Sequence, residues 1–154
     1  MKEIPLTQDQ VTLVDDEDYN NLMQYKWCFY RGKKSYHTGY AGNSILGDIH
    51  RFLLEPNRGQ YIDHKDGNGL NNQRDNLRIC TRSQNMMNQK KTRGTSKYKG
   101  VYYVKSRNKW TSAIKHNRKS IFLGQFREEK DAALAYNLRA KEIFGEFARL
   151  NEIC

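Results

Sequence analysis

Asp63 and His64 stand side by side, with Asn76 twelve residues and Asn85 twenty-one residues after the histidine. An imidazole titrates near pH ~6.5, so a neutral histidine can take a proton from water at neutral pH. A carboxylate and an amide oxygen offer two hard ligands to Mg²⁺ or a similar ion and leave positions open for water and phosphate oxygens. Together these groups suit phosphodiester hydrolysis, which needs an activated water, neutralised charge on the phosphate and help for the leaving 3′ oxygen. His64 is then the candidate base, and Asp63 and Asn85 are the candidate metal ligands.

Such residues act together only if local structure gathers them. Tyr61-Ile62-Asp63-His64 is a β-prone run, followed by the turn-rich Asp66-Gly67-Asn68-Gly69. Leu77-Arg78-Ile79-Cys80 reads as a second strand. Thr81 then opens a helix with Gln84 three residues on, the pattern in which hydroxyl and amide each satisfy a free backbone N–H. On this map Asp63 and His64 end the first strand, Asn76 opens the second, and Asn85 lies in the first helical turn. Upstream, residues 11–14, 27–30 and 35–41 are β-prone and punctuated by Gly32, Gly39 and Gly42. Residues 15–24 suit a short helix, and residues 48–54 one or two turns ended by Pro56.

Beyond a polar stretch at residues 90–96, the pattern changes. Residues 97–104, 109–115 and 119–126 read as three strands, with turns at 106–108 and 116–118. Residues 128–144 form a helix with Ala132, Tyr136, Ala140 and Ile143 on one face, Phe144 beside them and Gly145 at the C′ position. Trp110, Phe122, Phe126 and Tyr136 are expected in the core of this part. The fold class is α+β: a β-rich N-terminal segment leading into strand–loop–strand–helix, then a small three-stranded antiparallel sheet packed on one helix.

The 154 residues carry a formal net charge of +10, and hydrophobic residues make up 37%. The charge is uneven. Residues 1–47 are near neutral, whereas residues 97–119 hold eight Lys or Arg and no acidic residue. A charge gathered this way points to a polyanionic partner. Cys28, Cys80 and Cys154 form no C-x-x-C pair, which argues against a zinc site or disulfide framework and for reduced thiols. MKEIPLTQDQ has no apolar h-region and no long apolar run follows. The expectation is a cytoplasmic protein with no membrane partner.

The stretch from Tyr61 to Gln89, YIDHKDGNGLNNQRDNLRICTRSQNMMNQ, resembles the HNH (ββα-metal) endonucleases in the Asp-His…Asn…Asn form of phage and intron-encoded, homing-type enzymes. The resemblance implies His64 as base, Asp63 and Asn85 as metal ligands for Mg²⁺ (with Mn²⁺ as substitute), and Asn76 as the residue bracing the histidine loop. Asn68, Asn71 and Asn72 compete for the bracing role, and Asn88 competes with Asn85. Ile49-His50-Arg51-Phe52 resembles a His-Arg element that precedes the motif in this branch; Arg51 is a candidate phosphate contact, and His50 has no assigned role. The implied activity is a metal-dependent DNA endonuclease, nicking or cutting both strands, as a monomer or weak dimer on double-stranded DNA. The alternative is a DNA-binding regulator whose HNH unit is only structural.

Residues 97–151 resemble the plant ethylene-response-factor (Apetala-type) DNA-binding domain. The match rests on Tyr98-Lys99-Gly100-Val101, Lys109-Trp110, Phe122-Leu123-Gly124-Gln125-Phe126, Asp131-Ala132-Ala133-Leu134-Ala135-Tyr136 and Ala148-Arg149-Leu150-Asn151. In that family the sheet enters the major groove. The candidate DNA contacts are therefore Lys97, Lys99, Tyr103, Lys105, Lys109, Lys115 and Lys119. Tyr102, Val104 and Ser120 stand where arginines are usual, so the plant target sequence does not carry over. The expected organisation is a nuclease domain at 1–91 (motif core 60–91), a linker at 92–96 and a DNA-binding domain at 97–154.

Overall fold

A computed structural model describes residues 1–31, 39–90 and 94–153. Residues 35–38 of the expected third strand, residues 92 and 93 of the expected linker, and Cys154 lie outside the described residues. The chain is mixed helix and sheet and divides into two compact units, Met1–Met86 and Met87–Cys154. Among the described residues no helix is long and apolar enough to cross a membrane.

In the first unit, β1 (Lys2–Pro5) pairs antiparallel with β2 (Val11–Val14), followed by α1 (Asp16–Leu22). β1 has too little alternation for sequence patterning to reveal it. β3 (Cys28–Tyr30), β4 (Tyr40–Asn43) and β5 (Gly47–Asp48) form a three-stranded sheet leading into α2 (Ile49–Leu54). β6 (Tyr61–His64) and β7 (Leu77–Cys80) then pair antiparallel, and α3 (Arg82–Asn88) follows. Ile4, Val14, Leu22, Trp27, Ile49, Ile62 and Leu77 are buried together, so elements distant in sequence share one core. The Trp27 indole donates to the Leu22 carbonyl at 2.8 Å, which satisfies its one polar atom inside that core.

A fork of hydrogen bonds fastens α1 to the turn before β7. Arg74 Nε and Nη2 reach the two oxygens of buried Asp18 at 2.8 and 2.7 Å, and the Arg74 N–H donates to Asp15 at 2.7 Å. This bidentate geometry is the stronger kind of charge-assisted pair. Asn76, expected to open β7, instead closes the short 3-10 turn Arg74–Asn76.

The second unit is a sheet of order β10-β9-β8 with one helix. β8 (Val101–Val104) is shorter than expected because residues 97–100 turn. The Ser96 hydroxyl accepts from Tyr98 N–H at 2.9 Å and Gly100 adopts φ +76°. β9 (Lys109–His116) and β10 (Lys119–Phe126) meet in a two-residue hairpin whose central residues, Asn117 and Arg118, both have positive φ. Such a turn matches the right-handed twist of the strands. α4 (Glu129–Phe144) lies close against the sheet because Ala132, Ala133 and Ala140 are fully buried beneath it.

Phe122, expected in the core, is 62% exposed. A two-residue period would place Phe122 and Phe126 on one face. A bulge between Phe122 and Gly124 breaks that period: Phe122 pairs with Ala113, and Gly124 with Ser112. Leu123 and Phe126 therefore pack toward the helix side while Phe122 faces away from it. Tyr103, expected on the outer face, pairs with Trp110 on the helix side, its ring 4.9 Å from the indole and its hydroxyl bonded to Asn108. The outer face carries Tyr102, Lys109, Thr111, Ala113, Lys115, Ser120, Phe122 and Gln125.

Two backbone positions predict opposite shifts in stability. A Cβ at Gly100 would sit 2.0 Å from the Tyr136 ring, so Gly100→Ala should cost at least about 2 kcal/mol. Arg118→Gly relieves a left-handed residue in the hairpin turn and should gain about 0.5–1 kcal/mol. Denaturant midpoints at unchanged m-value check both.

Candidate active site

Strand pairing creates the centre of the site. Asp63 lies directly opposite Arg78, and His64 opposite Leu77. Asp63 and His64 are 5% and 6% exposed. A carboxylate so desolvated needs a cation, and Arg78 supplies it: Nη2 and Nε approach Asp63 Oδ2 at 2.6 and 2.9 Å.

The loop from Lys65 to Asn76 is organised around Asp66. Its carboxylate accepts from Asn68 N–H at 2.7 Å, Asn71 Nδ2 at 2.9 Å and Asn76 Nδ2 at 3.0 Å. Burial pushes the Asp66 carboxyl up, but these donors and the nearby His64 outweigh it and hold the group below its usual range. Asn76 closes the loop from the other end. Its Nδ2 also donates to the Asn71 carbonyl at 2.8 Å, its Oδ1 accepts from Asp66 N–H at 3.1 Å, and its carbonyl accepts from Lys65 N–H at 2.9 Å. Among the competing asparagines, Asn68 and Asn71 take subsidiary places in this loop, whereas Asn72 turns inward to the histidine.

Asn72 is 1% exposed, and its Oδ1 lies 3.2 Å from His64 Nε2. Its Nδ2 donates to Thr12 Oγ1 at 2.8 Å, and Thr12 Oγ1 donates to the Leu70 carbonyl at 2.8 Å. β2 runs alongside this segment through a parallel bridge between Leu13 and Asn71.

His50, one residue into α2, meets the same histidine from another side. The two rings lie edge to face with centroids 5.1 Å apart, and Tyr40 lies within about 6 Å of both. His50 Nε2 is 3.6 Å from Asp48 Oδ2, and the Tyr30 hydroxyl donates to the other Asp48 oxygen at 2.5 Å. Burial pushes His50 down to about 4, with His64 and Arg51 adding to the fall and Asp48 opposing it. Burial also lowers His64, against the Asn72 hydrogen bond and the charges of Asp66, Asp63 and Asp48. Both imidazoles are therefore neutral at neutral pH, and the contact of His50 with Asp48 is not an ion pair there. Patterning gave no hint of Tyr30, Tyr40 or Asp48, which reach the site through tertiary packing. The one visible signal was Thr12, a polar residue at an inward position of an otherwise apolar strand.

Asn85 stands on α3 just past the capping box, in which Gln84 Oε1 accepts from Thr81 N–H at 2.8 Å and Thr81 Oγ1 accepts from Gln84 N–H at 3.2 Å. Burial and then the Asp63 charge push the Cys80 thiol up, while Arg78 and the backbone N–H of Asn85 pull it down. Cys80 thus lies within reach of Asp63, Arg78 and the first turn of α3. Asn88 is buried at the end of the helix and falls in the second unit.

These donors suit a hard divalent ion. The Asp63 carboxylate is paired with Arg78 through Oδ2, and the Asn85 amide on α3 is the other oxygen donor that the motif offers. No group of three or more His, Cys, Asp or Glu poised for a metal occurs among the described residues. An ion here would therefore rest on one carboxylate, an amide oxygen and water.

The candidate DNA contacts divide. Lys109 and Lys115 are exposed on the outer face of the sheet; Lys97, Lys105 and Lys119 are exposed at its margins. Arg51 is exposed on α2. Lys99 departs from expectation: its ammonium donates to the Met87 carbonyl at 2.5 Å, and burial, with Arg149 nearby, pushes it down to about 8.

Residues 55–87 match the family model described as HNH endonuclease. The chain is 36% identical over 138 residues to a protein of Acanthamoeba polyphaga mimivirus named as an HNH endonuclease, covering 86% of this chain and 70% of that one. It is 37% identical over 98 residues to Protein 3.8 of Escherichia phage T7, covering 60% and 76%. The matched segment contains Asp63, His64, Asn76 and Asn85, and the mimivirus likeness runs well beyond it in a protein of the same description: this chain belongs to the HNH endonuclease family.

Proposed function

We propose that this endonuclease hydrolyses phosphodiester bonds of double-stranded DNA with a divalent metal ion, in a ββα-metal frame made of β6, β7 and α3. The observation that carries the reading is a neutral, buried histidine beside a buried carboxylate, inside the segment that matches the HNH model. His64 takes the proton of the attacking water. Asp63 and Asn85 hold the ion, Mg²⁺ with Mn²⁺ as substitute. When bound, it neutralises charge on the phosphate and on the leaving 3′ oxygen. Asn76 keeps the loop after His64 in place through its bonds to Asp66, Asn71 and Lys65. Arg51, exposed beside His50, serves as a phosphate contact.

The outer face of β8–β10 is the DNA-holding surface, in keeping with its likeness to the Apetala-type domain. Lys109 and Lys115 fix register on phosphates there, and the exposed rings of Tyr102 and Phe122 face the groove. One such nuclease unit nicks; cutting both strands takes two molecules or two visits. A homing-type role is what the likeness to the phage and intron-encoded branch implies, and one of the relatives is a phage protein.

Conversion of supercoiled plasmid tests this reading. Cleavage should require Mg²⁺ or Mn²⁺ and stop with EDTA. His64→Ala should lower it by about a hundredfold or more, and undiminished cleavage by that variant would sink the assignment. The pH dependence has a definite sign. The base works only when deprotonated, and burial lowers its pKa, so activity should persist below pH ~6.5 and fall only in more acid solution. An acid limb centred above that value would contradict the neutral buried histidine. Salt titration of DNA binding separates the lysines: Lys109→Gln or Lys115→Gln should each reduce the slope of log K against log salt by about 0.9. Lys99→Gln should leave it unchanged.

A further inference from the structure

We infer that Thr12, in the N-terminal hairpin and outside the segment that matches the HNH model, is a positioning residue that fixes which nitrogen of His64 is the base. The inference rests on the reading of His64 as that base.

It follows from counting donors. Thr12 Oγ1 has one hydrogen. It lies 2.8 Å from the Leu70 carbonyl, which can only accept, so the hydrogen is committed there. Toward Asn72, also 2.8 Å away, Thr12 can therefore only accept, and the Asn72 atom facing it must be the amide nitrogen. The amide oxygen then faces His64 Nε2 at 3.2 Å. An oxygen cannot donate, so Nε2 carries the imidazole hydrogen and Nδ1 carries the lone pair that takes the proton from water. Thr12, Asn72 and His64 are 0%, 1% and 6% exposed, so water does not compete for these bonds.

The backbone holds Thr12 to this task. Leu13 N–H donates to the Leu70 carbonyl and Asn72 N–H donates to the Leu13 carbonyl, both at 2.8 Å. Opposite Thr12, Ile4 of β1 is buried in the core. Thr12 is the residue of β2 that spends an inward position on a hydroxyl. Removing that hydroxyl leaves Asn72 Nδ2 only the Gly69 carbonyl, at 3.5 Å, and the amide is then able to flip.

The test is Thr12→Val, which keeps shape and removes the hydroxyl, beside Thr12→Ser, which restores it. Two-bond ¹H–¹⁵N spectra of ¹⁵N-histidine-labelled protein at neutral pH report the tautomer, with His64→Ala identifying the signals. The parent and Thr12→Ser should show His64 with its hydrogen on Nε2, and Thr12→Val a mixed or inverted pattern. In plasmid cleavage Thr12→Val should lose about tenfold in kcat at unchanged KM, and Thr12→Ser should recover most of it. An unchanged His64 tautomer in Thr12→Val, or kcat within twofold of the parent, overturns the inference. If Thr12→Val disturbs the fold, Thr12→Ala provides the same readings without the added methyl. Cleavage surviving in His64→Ala overturns the base assignment instead, while the ring spectrum still decides whether Thr12 sets the tautomer.

Discussion

A carboxylate removed from water must be neutralised, protonated or paired, and Asp63 is paired. Its partner is Arg78, the residue directly opposite in the neighbouring strand, so the register of a single antiparallel ladder brings the two charges together. Breaking a buried pair by removing one member typically costs about 3–5 kcal/mol, because the remaining charge is left uncompensated. That cost ties the hairpin to one register. A slip by one residue would send Asp63 and Arg78 to opposite faces and carry His64 away from Asn72. The same pair gives the Asp63 carboxylate a fixed cationic partner inside the fold.

The nuclease motif was legible because its local chemistry is self-contained. β6, β7 and α3 follow from β-prone runs, turn residues and a capping box, all of which act within a few residues. What surrounds the motif was not legible in that way. Asp48, Tyr30 and Tyr40 reach the two histidines through the β3–β5 sheet, a pairing with no local signature. Among four asparagines in one loop, spacing could not say which faces the histidine; burial separates Asn72 from the rest.

In the second unit the differences have two causes: a two-residue period carried across a bulge in one strand, and another strand begun too early. Gly124, with φ +140°, lets β10 take in an extra residue, and every side chain beyond it changes face relative to Phe122. A glycine inside a strand is itself the warning of such a bulge. Tyr103 and Lys99 were misplaced together because the first strand begins at Val101, after the turn at Gly100, and not at Lys97. Net charge located the basic segment correctly, but charge has no direction, and only pairing shows which lysines project from the sheet.

The β1–β2 hairpin turns through Gln8 and Asp9, both left-handed, and closes with a bond from Leu6 N–H to the Gln10 carbonyl. Its length sets the reading frame of β2. One residue more or fewer in this remote, exposed loop would present Val11 or Leu13 to Asn72 in place of a hydroxyl, without altering any residue of the nuclease motif. Drift in the loop's length is thereby constrained by the hydrogen-bonding needs of a buried asparagine more than fifty positions away along the chain.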